Sequence, residues 1–202
     1  MLKTISDILY SSLENLFVNQ SRILEYTEET NITEWNLGHH LANEIKKYLF
    51  WLDNDVEVIK TNLENKRPDI IFHKRTCYSL DYLVIEIKRN EESGKSDIEK
   101  IEDFWMGNRL DYRYGAYINI DDNGDYNGCV FDQNGNKKDI NREENNYVSP
   151  FCKMRLINEQ ASDLYNKVDE VCEVENRNKG WRAKNRVERI EGLWRELLEI
   201  DD

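Results

Sequence analysis

A short part of the chain, residues 67–88, carries acidic and basic side chains at a spacing that suits metal-assisted hydrolysis. Asp69 follows a proline, and Glu86 stands two residues before Lys88 in an apolar segment. Two carboxylates offer the hard oxygen ligands that Mg²⁺ prefers, and the main-chain carbonyl of Ile87 can add a third. An ammonium group beside the metal can orient a water molecule and lower its pKa. These groups together meet the requirements for hydrolysing a phosphodiester.

The Glu-x-Lys pattern alone is weak in a chain with 34% charged residues. It also begins at Glu44 and at Glu64, and only the copy at Glu86 lies in an apolar segment that follows a Pro-Asp pair. The pair at Pro68 and Asp69 occurs once in the sequence. The combination is therefore a stronger indication of a site than either pattern alone.

The elements that must position these side chains follow from the hydrophobic pattern. Alternation predicts strands at residues 56–60, 69–73, 80–89, 114–120 and 128–133, and helical spacing predicts helices at 4–18, at 31–50 and after Ser96. Residues 19–30 and 136–150 are polar, and we expect a loop and an irregular segment there. A side-chain period of two in the strand over 80–89 divides it into two faces. One face carries Val84, Glu86 and Lys88, and the other carries Leu83, Ile85 and Ile87.

Glu44 lies within the buried stripe of the helix predicted over residues 31–50. A carboxylate on the core side of a helix requires a partner, because burying an unpaired charge is costly. Two interpretations are open. Glu44 could form an ion pair with a nearby lysine, or it could reach the metal site as a third carboxylate.

The net charge of −12 means that the chain lacks the overall basic surface typical of proteins that hold phosphate backbones. Carboxylates that bind Mg²⁺ contribute to this acidity, and the ion reverses the local charge. Cations for a phosphate backbone occur near Lys88 and in a C-terminal stretch where Trp181 could stack on a base. The predicted contacts are Arg89, Lys95, Lys100, Arg177, Lys179, Trp181, Arg182, Lys184 and Arg186. The alternative for the C-terminal stretch is a solvated helix start that balances acids elsewhere.

Composition bounds the remaining possibilities. No apolar run approaches the roughly 20 residues that cross a bilayer, so we expect a cytoplasmic protein without a membrane contact. The four cysteines are scattered without a C-x-x-C pair, which disfavours a zinc site or a disulfide framework.

We divide the chain into an N-terminal helix and loop (1–30), a core (31–135) and a C-terminal helical extension (136–202). The two C-terminal amphipathic helices could cover the sheet or form a dimer interface.

The Pro-Asp pair, the Glu-Ile-Lys triplet and the element order over residues 31–120 resemble the PD-(D/E)XK nuclease superfamily. The resemblance implies an α/β, restriction-endonuclease-like αβββαβ core with a mixed sheet, one or two Mg²⁺ ions (Mn²⁺ as a substitute) and products with a 5′ phosphate. It also implies that Asp69, Glu86 and the Ile87 carbonyl bind the metal, with Glu44 as the acid of the first core helix and Lys88 beside the nucleophile. A Gln-x-x-x-Tyr continuation after Lys88 is missing, which disfavours a processive exonuclease.

The sequence therefore predicts a Mg²⁺-dependent endonuclease that acts on DNA, with a homodimer expected through the C-terminal helices. One rival hypothesis is a nuclease fold used for binding, as an acidic interaction or inhibitor protein with a basic partner. The other is a nuclease of RNA or of a structured nucleic acid.

Overall fold

The structure is a computed structural model, and it describes residues 1–28, 33–57, 67–90, 94–107, 110–150, 159–177 and 184–200. The chain forms an α/β fold with one mixed sheet of six strands in the order β1-β2-β3-β4-β5-β6. The strands are β1 (Asp53–Val56), β2 (Ile70–Lys74), β3 (Cys77–Arg89), β4 (Tyr114–Ile120), β5 (Tyr126–Asp132) and β6 (Lys137–Ile140). The helices are α1 (Leu2–Asn19), α2 (Ile23–Glu28), α3 (Thr33–Lys46), α4 (Lys95–Lys100), α5 (Glu159–Arg177) and α6 (Lys184–Leu197).

The strands pair antiparallel except for β3 and β4, which are parallel. Parallel neighbours need a crossover, and here the chain crosses through α4 and a π-helical turn at Ile101–Met106. From α3 to β4 the element order is helix-strand-strand-strand-helix-strand. This order and the coarse α/β class with a mixed sheet agree with the sequence prediction.

Two apolar cores lie on opposite faces of the sheet, as the alternation in β3 predicts. Leu83, Ile85 and Ile87 join the larger core, to which α1, α3, α5 and α6 contribute. Val84 joins a smaller core with Trp105 and other residues of the crossover. The face of β3 that carries Glu86 therefore looks toward the crossover helix.

Three sequence expectations differ from the structure. The predicted loop over 19–30 contains the short helix α2, and the predicted irregular segment over 136–150 contains β6, which pairs with β5 at the edge of the sheet. Only the last residue of β6, Ile140, is buried, so an edge strand of this kind leaves almost no hydrophobic pattern. The first strand begins earlier than expected, at Asp53, and residues 58–60 lie outside the described part of the chain.

The C-terminal helices cover the sheet. The buried carboxylate of Glu191 on α6 accepts hydrogen bonds from the hydroxyls of Tyr82 and Tyr114, both at 3.0 Å, and from two guanidinium nitrogens of Arg113. Trp194 lies fully buried in the larger core. The apolar face of α6 is thus used within the chain, and the homodimer expected through the C-terminal helices stays a prediction. No helix in the described ranges is long and apolar enough to span a membrane.

Candidate active site

Asp69 lies immediately before β2. Its side chain takes the place of strand pairing for the part of β3 that extends past β2. The pairing of β2 with β3 begins at Ile70 opposite Ile85, whereas β3 continues to Arg89. The Oδ2 atom of Asp69 accepts a hydrogen bond of 2.6 Å from the backbone N–H of Ile87, which lies beyond the last paired position. Burial raises the pKa of Asp69 above its ordinary value, although the bond from Ile87 opposes the shift. Asp69 therefore holds the end of the sheet together, whatever chemistry it also performs.

Glu86 is almost completely buried, with 1% of its surface exposed. One carboxylate oxygen accepts a 2.7 Å hydrogen bond from the ammonium of Lys100, and the other accepts a 2.7 Å bond from the indole of Trp105. Burial and then the charge of Asp69 raise the pKa of Glu86 to about 7, while Lys100 and Trp105 act in the opposite direction. Asp69, immediately before β2, and Glu86 on β3 thus form a pair of mutually repelling carboxylates.

Lys88 points from the same face of β3 as Glu86 and is partly exposed. Its ammonium lies 3.8 Å from a carboxylate oxygen of Glu34 at the start of α3. Partial burial acts to lower the pKa of Lys88, but the charges of Glu34, Asp97, Asp69 and Glu86 outweigh it and raise the pKa above the ordinary value. Lys88 is therefore a cation at neutral pH and is not available there as a general base.

Glu44 does not join this group in the way that the resemblance implies. Its carboxylate accepts hydrogen bonds from Lys47 at 2.5 Å and from Asn19 at 3.1 Å, at the interface of α3 with α1. Of the two interpretations of Glu44, the structure shows the ion pair with a nearby lysine. The acid of α3 whose charge acts on both Asp69 and Lys88 is Glu34.

The cations near Lys88 that were predicted to contact nucleic acid are each close to a carboxylate. Arg89 bonds to Asp122 at 2.5 Å, and the exposed Lys95 lies 3.8 Å from Glu99. Lys100 is the partner of the buried glutamate described above. The sequence placed Lys100 among the phosphate contacts, whereas the structure places it inside the carboxylate cluster.

The part of α5 that leads into the C-terminal basic stretch lies far from this cluster. Glu175, near the end of α5, accepts hydrogen bonds from the backbone N–H groups of Tyr78 and Ser79 at the beginning of β3. Lys88 lies at the other end of this strand of 13 residues, which spans about 40 Å. The chain therefore enters the basic stretch at the opposite end of the sheet from Lys88.

The individual members of that stretch are only partly described. α5 ends at Arg177, α6 begins at Lys184, and the exposed Arg186 acts electrostatically on Glu170 of α5. Three predicted contacts lie outside the described residues: Lys179, Trp181 and Arg182. Their role in nucleic-acid binding stays a prediction.

The carboxylate oxygens of Asp69 and Glu86 suit a hard divalent cation that takes only a few of its ligands from the protein. Mg²⁺ is commonly held by one or two carboxylates, several waters and the phosphate of a substrate. A positive charge next to both carboxylates would relieve their repulsion, and in this structure the ammonium of Lys100 supplies it to Glu86. Within the described ranges, no group of three or more His, Cys, Asp or Glu side chains is arranged to hold a metal ion. The arrangement is thus an open carboxylate pair and not a closed metal cage.

Comparisons of the chain with protein-family models, with curated proteins and with solved structures found no match. The resemblance to the PD-(D/E)XK nucleases therefore rests on the residues and element order of this chain alone.

Proposed function

We propose that the protein is a Mg²⁺-dependent nuclease with a restriction-endonuclease-like core. The observation that carries the proposal is the carboxylate pair of the partly buried Asp69, immediately before β2, and the buried Glu86 on β3, with the ammonium of Lys88 two residues further along β3. The element order from α3 to β4, with β3 and β4 parallel, supports the fold that the resemblance implies. DNA is the substrate that the sequence favours.

Each residue has a separate task in this proposal. Asp69, Glu86 and the Ile87 carbonyl would hold Mg²⁺, which supplies charge neutralisation at the phosphoryl oxygens and a more acidic bound water. Lys88 remains protonated, orients the attacking water and stabilises negative charge on the phosphate. If Glu86 held the metal, the ammonium of Lys100 would no longer be its only cation and could contact the phosphate.

The test is a cleavage assay with labelled DNA and RNA in Mg²⁺, in Mn²⁺ and in EDTA. Asp69→Asn keeps an oxygen that can accept the bond from Ile87, and Glu86→Gln keeps the shape of the side chain, so both remove charge with little change in volume. We expect each variant to lose cleavage by at least about 100-fold, since each removes the negative charge of a metal ligand, and loss of an outer partner alone typically costs about 10–100-fold. Glu44→Gln is the matched control, and it should cleave at the rate of the wild type. Full Mg²⁺-dependent cleavage by Glu86→Gln would overturn the proposal.

A second candidate is an acidic protein that uses the same fold to bind a basic partner. The observation in its favour is that both oxygens of Glu86 already have protein donors, in a chain with a net charge of −12. Calorimetric titration with Mg²⁺ separates the two candidates. The nuclease should bind Mg²⁺ and lose that binding in Asp69→Asn, whereas the acidic binding protein should show neither this binding nor any cleavage.

A further inference from the structure

Two of the four cysteines lie together where α5 packs on the beginning of β3. Cys77 is the first residue of β3 and is buried, whereas Cys172 on α5 is partly exposed. Cys77 belongs to the larger core, Cys172 packs against that core, and both are free thiols. The sequence separates these cysteines widely, so their proximity is a result of the fold.

Glu175 fixes the beginning of β3 against α5. Its carboxylate accepts 2.9 Å hydrogen bonds from the backbone N–H groups of Tyr78 and Ser79. The thiol of Cys77 donates to the same carboxylate, with 3.6 Å between the sulfur and the oxygen. Residues three apart on a helix are neighbours on its surface, so Cys172 stands beside Glu175. Cys77 is therefore held against the turn of α5 that carries Cys172.

The two thiols also act directly on each other. Hydrogen bonding with Cys172, followed by burial, raises the pKa of Cys77 above its ordinary value. Hydrogen bonding with Cys77 lowers the pKa of Cys172, and the charge of Lys74 acts in the same direction against the effect of burial. The thiolate is the reactive form of cysteine, and accessible thiols of low pKa are oxidised first. Cys172 is accordingly the more reactive thiol, and Cys77 stays protonated beside it.

We propose that Cys172 and Cys77 form a reversible modification site, in which a peroxide converts the two thiols to a disulfide that joins α5 to β3. A reactive, accessible cysteine next to a second cysteine that can displace its oxidised form is the usual arrangement of such a site. The proposal is independent of the nuclease function, because the pair lies at the end of β3 opposite to Lys88.

The reaction balances in two steps with hydrogen peroxide as the oxidant. The Cys172 thiolate attacks a peroxide oxygen, the O–O bond breaks, and the hydroxide that leaves takes up a proton to form water. Cys172 is then a sulfenic acid. Cys77 passes its proton to Glu175 and attacks the sulfenic sulfur, the S–O bond breaks, and the hydroxide that leaves takes up that proton as a second water. A dithiol reverses the change through a mixed disulfide.

The experiment maps the disulfide in the full chain. The reduced protein is treated with hydrogen peroxide, and the remaining thiols are blocked with N-ethylmaleimide in denaturant. Mass spectrometry then identifies the peptides of a non-reducing tryptic digest. We expect a peptide pair that joins Cys77 to Cys172 and disappears after treatment with dithiothreitol. Recovery of both cysteines in the alkylated form would overturn the proposal. A link from Cys172 to a second copy of the chain, or to Cys152, which lies outside the described residues, would do the same.

Three variants assign the roles of the thiols. Cys77→Ser should stop the oxidation at the sulfenic acid of Cys172, which dimedone traps, and Cys172→Ser should form no link. Cys129→Ser is the matched control, because it removes another buried thiol, on β5, and it should form the link as the wild type does. Circular dichroism confirms that each variant is folded. Dimedone labelling of Cys77 and not of Cys172 would overturn the assigned order of reaction.

Thermal unfolding shows whether the folded protein accommodates the link. A disulfide between distant residues restricts the unfolded chain, so the oxidised protein should melt about 5–10 °C above the reduced protein. Cys172→Ser controls for other effects of peroxide and should melt at the same temperature before and after treatment. An oxidised wild type that melts at or below the temperature of the reduced protein would show that the link distorts the fold, and it would overturn the proposal.

Discussion

Two glutamates in this protein are almost equally buried, but the charges next to their carboxylates differ. Glu191 on α6 and Glu86 on β3 are 2% and 1% exposed, and each is bonded to a cation and to aromatic side chains. Arg113 reaches both oxygens of Glu191, at 2.9 and 3.0 Å, and the two tyrosine hydroxyls add further bonds. Glu86 has a single bond to each oxygen, and burial, together with the charge of the neighbouring Asp69, raises its pKa.

The difference indicates which buried acid is structural. A carboxylate that is saturated by a bidentate guanidinium and hydroxyls stabilises one arrangement of helix and sheet. A carboxylate repelled by its neighbour is held at a cost and gains from an additional cation. Burial of a carboxylate is thus not by itself evidence of a catalytic or metal-binding role. The charge of the neighbouring side chains distinguishes the two cases.

The largest effect on stability should come from Glu191→Ala. The substitution leaves the guanidinium of Arg113 and two tyrosine hydroxyls without their acceptor, and breaking a buried pair in this way costs about 3–5 kcal/mol. The free energy of unfolding in urea measures the loss. Glu86→Gln is the comparison, and it should cost clearly less. Equal losses in the two variants would remove the distinction between the two glutamates.

A somewhat smaller effect is expected from pH, and only at Glu86. Its pKa is about 7 in the folded protein, against 4.5 as the ordinary value, so between these pH values the unfolded chain releases a proton that the folded protein keeps. Stability therefore falls as pH rises from 4.5 to 7, by up to about 3 kcal/mol, and the loss is complete above the folded pKa.

Other carboxylates also titrate in this range, so the measurement is a difference. The unfolding free energy of Glu86→Gln minus that of the wild type should increase from pH 4.5 to pH 7 and then level off. A difference that stays constant over this range would show that folding does not raise the pKa of Glu86.

The smallest effect should come from Glu44→Gln. Its partners are a half-exposed lysine, Lys47, and the amide of Asn19, and a pair of this kind contributes about 1 kcal/mol or less. Denaturation in urea should show this small loss, and Mg²⁺ titration should show no change. A loss of Mg²⁺ binding in Glu44→Gln would show that Glu44 belongs to the metal site. Glu34 and Glu44, the two acids of α3, would then both act there.

Local pattern was enough for much of the fold. The alternation in residues 80–89 correctly separated the two faces of β3, because side chains alternate strictly along a strand. The same pattern placed Glu86 and Lys88 together, and helical spacing identified α1, α3, α5 and α6. The short elements α2 and β6 were missed, since each buries too few residues to leave a period.

The partners of the site were decided by tertiary structure. The helical period showed that Glu44 lies on the buried side of α3, but it carries no information about which end of the helix overlies the end of β2. Packing decided that Glu34 faces Lys88 and that Glu44 faces α1. In the same way, the crossover after β3 turned Lys100 and Trp105 onto Glu86, which sequence spacing did not indicate.

By itself, the sequence determined that Glu86 and Lys88 project from the same face of β3, because side chains alternate along a single strand. Only the tertiary structure decided which other charges surround them and that the C-terminal basic stretch begins at the opposite end of the sheet. Those relations depend on how distant elements pack, and the free energy of packing depends on the whole core and not on any local spacing.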